Sequence, residues 1–158
     1  MEVIMNIGVE KVSVEDIMEI NRIQKLAFKD SYDKYSFCPA YEATDEQVIS
    51  FLEKANAYKI LLDEKIIGSI FICKISDNHY ELNTISIHPQ FQNTGIGGKV
   101  ISLIEKLHSN VLTWTLSTPD ADYRNRHLYE KLDYIQVGSE VINEYLKLIQ
   151  YKKELNIS

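Results

Sequence analysis

Eight residues in mid-chain, Gln92-Asn93-Thr94-Gly95-Ile96-Gly97-Gly98-Lys99, combine three glycines, two side-chain amides and a lysine where a strand-like run gives way to a helical one. Glycine costs about 1 kcal/mol relative to alanine inside a helix, so Gly95, Gly97 and Gly98 call for a compensating use. A helix entered through glycines presents unpaired backbone N–H groups and the positive end of its dipole to one point in space. The missing side chains let an anion approach that backbone closely, and Lys99 adds a cation near the first turn. The chemistry that fits these residue types at this spacing is recognition of a diphosphate.

Two familiar phosphate motifs do not fit. A Walker loop needs GxxxxGK followed by Ser or Thr, but Val100 follows Lys99 and the earlier glycine is missing. A dinucleotide fingerprint needs GxGxxG, but the third glycine position after Gly95 and Gly97 is Val100.

The elements around the glycines define what positions them. "SVEDIMEINRIQKLAF" predicts a helix from about Val14 to Phe28, with Ser13 as cap, Asp16 closing a near capping box, and Ile17, Ile20, Leu26 and Ala27 inward. A second helix follows Thr44 through "DEQVISFLEKAN", with Val48, Phe51 and Leu52 on one face, and an aromatic, acidic loop is expected between the two. "YKILLD", "KIIGSIFICKI" and "YELNTISIH" read as an antiparallel meander with a tight polar turn at Asp63 to Lys65. "TGIGGKVISLIEKLH" carries Ile96, Val100, Leu103, Ile104 and Leu107 at helical spacing and leads into the strand "VLTWTLST". That strand–helix–strand step is a crossover, which implies two parallel neighbours inside a mixed sheet. A short helix, "YRNRHLYEKL", and two closing strands in "DYIQVG" and "EVINEYLKLIQYKKEL" complete the chain.

The chain has 158 residues, the size of one domain with a full core. Its 23 acidic and 17 basic residues give a net charge of −6, without a basic run, which argues against nucleic acid as a partner. The start, "MEVIMNIGVEKVS", lacks a basic region followed by a sustained apolar core, and no run of about eighteen apolar residues occurs, so no membrane association and a cytoplasmic location are expected. Cys38, Cys73 and four scattered histidines offer no metal-ligand spacing, so no metal is expected, and His88 is assigned no chemistry.

The pattern Q/R-x-x-G-x-G/A does fit, as Gln92-Asn93-Thr94-Gly95-Ile96-Gly97. With "NRHLYEKLDY" following in order, nearly the whole chain resembles the GNAT family of acetyl-CoA-dependent N-acetyltransferases. The resemblance implies a single GNAT domain over residues 1–158. Its α/β (α+β) fold is a mixed, mostly antiparallel twisted sheet flanked by helices, with a parallel strand pair at the acetyl-CoA slot. It further implies that backbone amides from Asn93 to Gly98 (Asn93, Thr94, Gly95, Ile96, Gly97 and Gly98), with Gln92 and Lys99 beside them, hold the coenzyme A diphosphate. The strand over residues 80–88, through Ile85 and Ile87, pairs with the pantetheine arm beside a bulge that opens the slot, and the Ile87 N–H polarises the acetyl carbonyl.

Amine acetylation needs a neutral attacking nitrogen and a protonated or stabilised leaving thiolate, hence two proton-handling groups. Tyr129 matches the tyrosine of the family's YEK motif and is the candidate acid. Glu81, the one carboxylate inside the strand over residues 80–88, resembles in position the family's general base, working directly or through water. Asp133 replaces the motif's usual glycine, which calls for a left-handed turn that aspartate tolerates. Asp122 stands where the family often has a cofactor-contacting asparagine, so either Asn125 takes over that contact or it is lost.

The resemblance puts the acceptor opposite the cofactor, near "DSYDKYSFCPAYEATDE", where Tyr32, Tyr35, Phe37 and Tyr41 with Asp33 and Glu42 are expected to form an aromatic, acidic wall for a cationic amine. Together these readings describe an N-acetyltransferase that uses acetyl-CoA and acts on a primary amine of a small molecule by direct attack in a ternary complex. The alternatives are an acetyltransferase of protein N-termini or lysines, a non-catalytic acyl-CoA sensor and, further off, a nucleotide-binding module. Exposed strand edges make a homodimer an expectation.

Overall fold

The computed structural model describes residues 6–155; residues 1–5, part of the start inspected for a leader, lie outside them. The strands pair into one seven-stranded sheet in the order β1-β2-β3-β4-β5-β7-β6. They are β1 (Ile7–Lys11), β2 (Asn56–Leu62), β3 (Lys65–Ser76), β4 (His79–Ile87), β5 (Thr113–Pro119), β6 (Ile135–Val141) and β7 (Lys147–Glu154). Every pairing is antiparallel except β4–β5, the pair joined by the crossover helix α4 (Ile96–Leu107). The other helices are α1 (Ile17–Tyr35), α2 (Pro39–Glu42), α3 (Asp45–Leu52) and α5 (Tyr123–Lys131).

The two-residue loop at Asp63 and Glu64 has φ of 49° and 70°. Left-handed values at both positions are those of a hairpin turn whose twist matches the flanking strands. One face of the sheet is covered by α4 and α5 over a core that includes Trp114, Ile104 and Tyr151, all fully buried. Ile17 and Ile20 of α1 and Val48 of α3 pack with Phe71 of β3 in a separate cluster.

Four expectations are corrected. Leu107 is 58% exposed at the end of α4 and Ile101 is buried on that helix. Helix α1 turns inward Ile23, Asn21 and Gln24, while Leu26 is 43% exposed. It also begins after a single 3-10 turn at Val14–Asp16 and runs on to Tyr35, through about half of the stretch expected to be a loop. A Lys29–Asp33 ion pair at i,i+4 spacing and buried Tyr35 support this last part, and Ser36, left-handed at φ 56°, ends it. The N-terminal strand β1, not expected from its sequence, forms by pairing along β2 from Ile7↔Leu62 to Lys11↔Tyr58.

Gly68 of β3 lies against β4, where an added Cβ would collide with the carbonyl oxygen of Ser86. Backbone cannot move aside as a flexible side chain does. Gly68→Ala is therefore expected to cost on the order of 1–3 kcal/mol, read in a thermal melt as a drop of about 3–10 °C.

Candidate active site

Strands β4 and β5 pair in parallel only at His79↔Thr113, Tyr80↔Trp114 and Glu81↔Thr115. Beyond Glu81 they diverge, and on its other side β4 bulges: Ile72 faces Leu82 and Phe71 faces Thr84, which leaves Asn83 over as the extra residue. The divergence opens a slot of about 400 Å³ lined by Ile85, Ser86 and Ile87 of β4. The His88 N–H donates to Ile67 O on β3 at 2.8 Å. Strand alternation therefore turns the N–H and C=O of Ile87 the other way, into the slot. Gln92 Nε2 donates to that carbonyl at 2.9 Å, which leaves the Ile87 N–H facing the opening.

The same slot is walled by Gln92, Asn93, Gly95, Ile96, Gly97 and Gly98. Gly95 caps α4 with φ 83°, a left-handed conformation that glycine adopts freely, and Asn93 precedes it at φ 64°. Gly97 and Gly98 are different: a Cβ at either meets Leu128 of α5 in contact at 3.4 or 3.5 Å. Their bareness lets α4 and α5 approach while their backbone lines the slot. Thr94 donates its hydroxyl to Phe91 O at 2.6 Å, and Lys99 is exposed, so neither side chain belongs to the wall.

Helix α5 closes the slot with Asp122, Arg124, Asn125, Leu128 and Tyr129. Asp122 caps this helix, accepting from the Asn125 backbone N–H at 3.4 Å and from Asn125 Nδ2 at 2.8 Å. The aspartate in the asparagine position is thus engaged with the helix start, and Asn125 is turned to it. Asp133 has φ 74° and the Tyr134 N–H reaches back to Tyr129 O at 3.0 Å, a left-handed helix end that holds the Tyr129 turn. The Tyr129 ring is 7% exposed and lies 6.1 Å from Tyr134 and 6.2 Å from Tyr151, centroid to centroid. Burial, and secondarily the charge of Asp122, push its phenol well above the usual tyrosine range, so it stays protonated.

A second cavity of about 410 Å³ lies beside the slot, over β3 and β4 and under α1, α2 and α3. Asn83 and Thr84 line it, and the next three residues of β4 line the slot, so the two meet along one strand. Helix α1 is a second shared wall, with Gln24 in the cavity and Ala27 and Phe28 in the slot. Glu81 lines neither; its Oε1 accepts from Asn83 Nδ2 at 3.3 Å. The tyrosines expected to form an acceptor wall are dispersed. Tyr35 is buried at the slot, while Tyr32 of the longer α1 and Tyr41 of α2 stack on each other at 4.7 Å and line neither space. Phe37 is 42% exposed and Asp33 pairs with Lys29, so of that group Glu42 alone reaches the cavity.

The sequence model of the Acetyltransferase (GNAT) domain matches residues 53–136, from the end of α3 to the start of β6. The chain belongs to the GNAT acetyltransferase family. No curated protein sequence matches it. Among solved structures, this GNAT domain is similar to the PaiA N-acetyltransferase of Thermoplasma acidophilum in complex with coenzyme A, at 17% identity and a TM-score of 0.75 over 94% of this chain and 100% of that one. The ribosomal-protein-S18-alanine N-acetyltransferase of Escherichia coli has 14% identity and a TM-score of 0.78 over 97% and 96%. The spermidine N-acetyltransferase of Vibrio cholerae, in complex with CoA and spermine, has 12% identity and a TM-score of 0.77 over 94% and 95%. These likenesses establish the fold.

Two features of this GNAT domain escape sequence reading. Arg124 is exposed at the slot, its Nη1 donating to Asn93 Oδ1 at 2.7 Å and tying α5 to the glycine loop. The second cavity draws on α1, α2, α3, β3 and β4, which no local pattern joins. Gln24, polar within the apolar stripe of α1, is the local signal for it. Among the described residues no helix is long and apolar enough to cross a membrane, and no group of three His, Cys, Asp or Glu is placed to hold a metal.

Proposed function

We propose that this chain transfers the acetyl group of acetyl-CoA to a primary amine of a small molecule, by direct attack with both reactants bound. The carrying observation is the meeting on β4 of two spaces, one walled by the glycine-rich start of α4 and the other lined by residues of α1, α2 and α3. The slot fits coenzyme A: backbone N–H groups at the glycine-rich start of α4 suit the diphosphate, and the free edge of β4 at Ile85 and Ile87 suits the amide-bearing pantetheine arm. When bound there, acetyl-CoA supplies an activated acyl group.

The chain's own groups then act as follows. The Ile87 N–H, which faces the slot, donates to the acetyl carbonyl oxygen as charge develops on it. Tyr129 gives its phenolic proton to the departing sulfur. Glu81, with Asn83 between it and the cavity, takes the amine's proton through water. Asn93, with its side chain held by Arg124, keeps the loop at the left-handed turn before Gly95.

Arg124 also brings a guanidinium to a slot otherwise dependent on backbone for anion recognition. Arg124→Gln is expected to weaken acetyl-CoA binding about 5- to 10-fold at low salt, with a smaller loss at high salt. Titration calorimetry at two ionic strengths checks this. The transfer itself is tested by mass spectrometry of an amine panel incubated with acetyl-CoA and protein. An acetylated amine supports the reading, and unchanged amines throughout refute it.

A further inference from the structure

We infer that the acceptor is a compact amine bearing one positive charge on an apolar body, rather than a polyamine or a basic peptide. The inference rests on the transferase reading above and deepens it. The acceptor-side cavity has an aromatic and aliphatic interior, where Phe51 of α3 and Phe71 of β3 lie 5.8 Å apart with Val48 beside them. Such walls hold an apolar group and offer no charge to a solvated ammonium.

Charge is the deciding feature. A polyamine that presents one neutral nitrogen for attack still carries at least one further ammonium, which needs a carboxylate in reach. Among the described residues, the cavity wall has one carboxylate, Glu42, exposed at the edge where it accepts from the Cys38 N–H at 3.4 Å. Asp45, the next acid along the chain, accepts from Asn21 Nδ2 at 2.7 Å and is absent from the wall. One carboxylate suits the recruitment of one ammonium, which loses its proton before attack. The lysine and arginine side chains of a basic peptide face the same shortage.

The interior also has an unmet acceptor. Gln24 is 5% exposed and lines the cavity; its Nε2 donates to Ala40 O at 2.9 Å, while its Oε1 has no partner. A turn of the Gln24 amide toward the cavity would offer that oxygen to an N–H donor on the ligand, and the amine entering past Glu42 carries one. Asn83 and Thr84 lie where the cavity meets the slot, so a body seated against the two phenylalanines directs its nitrogen toward β4.

The experiment is a comparison of kcat/KM, by thiol release at saturating acetyl-CoA, for phenethylamine, isoamylamine, spermidine and a lysine-containing peptide. The two monoamines are expected to exceed spermidine and the peptide by 10-fold or more. Glu42→Gln, a change at an exposed position, is expected to raise KM for phenethylamine about 5-fold while leaving acetyl-CoA affinity unchanged. Phe51→Ala is expected to lower kcat/KM for phenethylamine more than for isoamylamine. Spermidine or the peptide used as well as the monoamines, or a Glu42→Gln enzyme with unaltered amine KM, overturns the inference and leaves the transferase reading standing. Absence of acetyl-CoA binding overturns both.

Discussion

Replacing Tyr129 by phenylalanine is expected to lower the turnover of acetyl transfer by about 100-fold or more while leaving acetyl-CoA affinity within about twofold. The argument comes from the side chain's surroundings. Its ring is packed against Tyr134 and Tyr151, and phenylalanine preserves that packing, so the fold and the slot wall persist. What is lost is the phenolic proton that α5 places at the slot wall. Burial and the nearby Asp122 carboxylate raise the phenol above the ordinary tyrosine range, and a raised pKa means the acid form is retained as pH climbs. Tyr129 therefore gives no alkaline fall in rate between about pH 7 and pH 9. Steady-state kinetics over that range, with calorimetry for the cofactor, separates the roles: a tyrosine that only packs predicts little change in turnover.

Gly95→Val is expected to weaken acetyl-CoA binding about 10-fold. Gly95 sits at φ 83°, and a side chain there costs about 1–2 kcal/mol, most for a β-branched one. The site has space, since nothing lies within 4 Å of where a Cβ would stand, so the penalty is conformational rather than steric. The loop relieves it by rotating away from the left-handed turn. That same rotation turns aside the N–H groups that begin α4 and edge the slot. Far-ultraviolet circular dichroism should show the helices intact, and calorimetry should show the affinity loss. Gly97→Ala, in ordinary contact with Leu128, is the control, with a much smaller effect.

The contrast between these glycines shows what was legible in the chain. The strand, glycine loop and amphipathic helix from β4 to α4 form one contiguous segment whose period and turn chemistry are local, so the crossover and its parallel pair follow from sequence. The left-handed Asp133 was readable for the same reason. The extension of α1 to Tyr35 was less so. No glycine or proline interrupts the chain between Gly8 and Pro39, but the aromatic and acidic residues ahead of Pro39 fit a loop as well as a helix. Burial of Tyr35 decides it, and burial is a tertiary fact. The placement of Tyr32 away from both spaces follows from that difference, and Tyr41 of α2 stacks on it. Strand β1 likewise owes its form to β2, since "IGVEK" carries little strand preference of its own. The second cavity was the least legible, because Gln24, Phe51 and Asn83 come from three distant segments.

The most direct measurement is the release of free thiol from acetyl-CoA by the purified protein, with and without an added primary amine. Release that depends on the amine, accompanied by the acetylated amine as product, is the result expected. Failure of the protein to bind acetyl-CoA contradicts the account at its centre, because the glycine loop and the opened strands would then serve some other ligand.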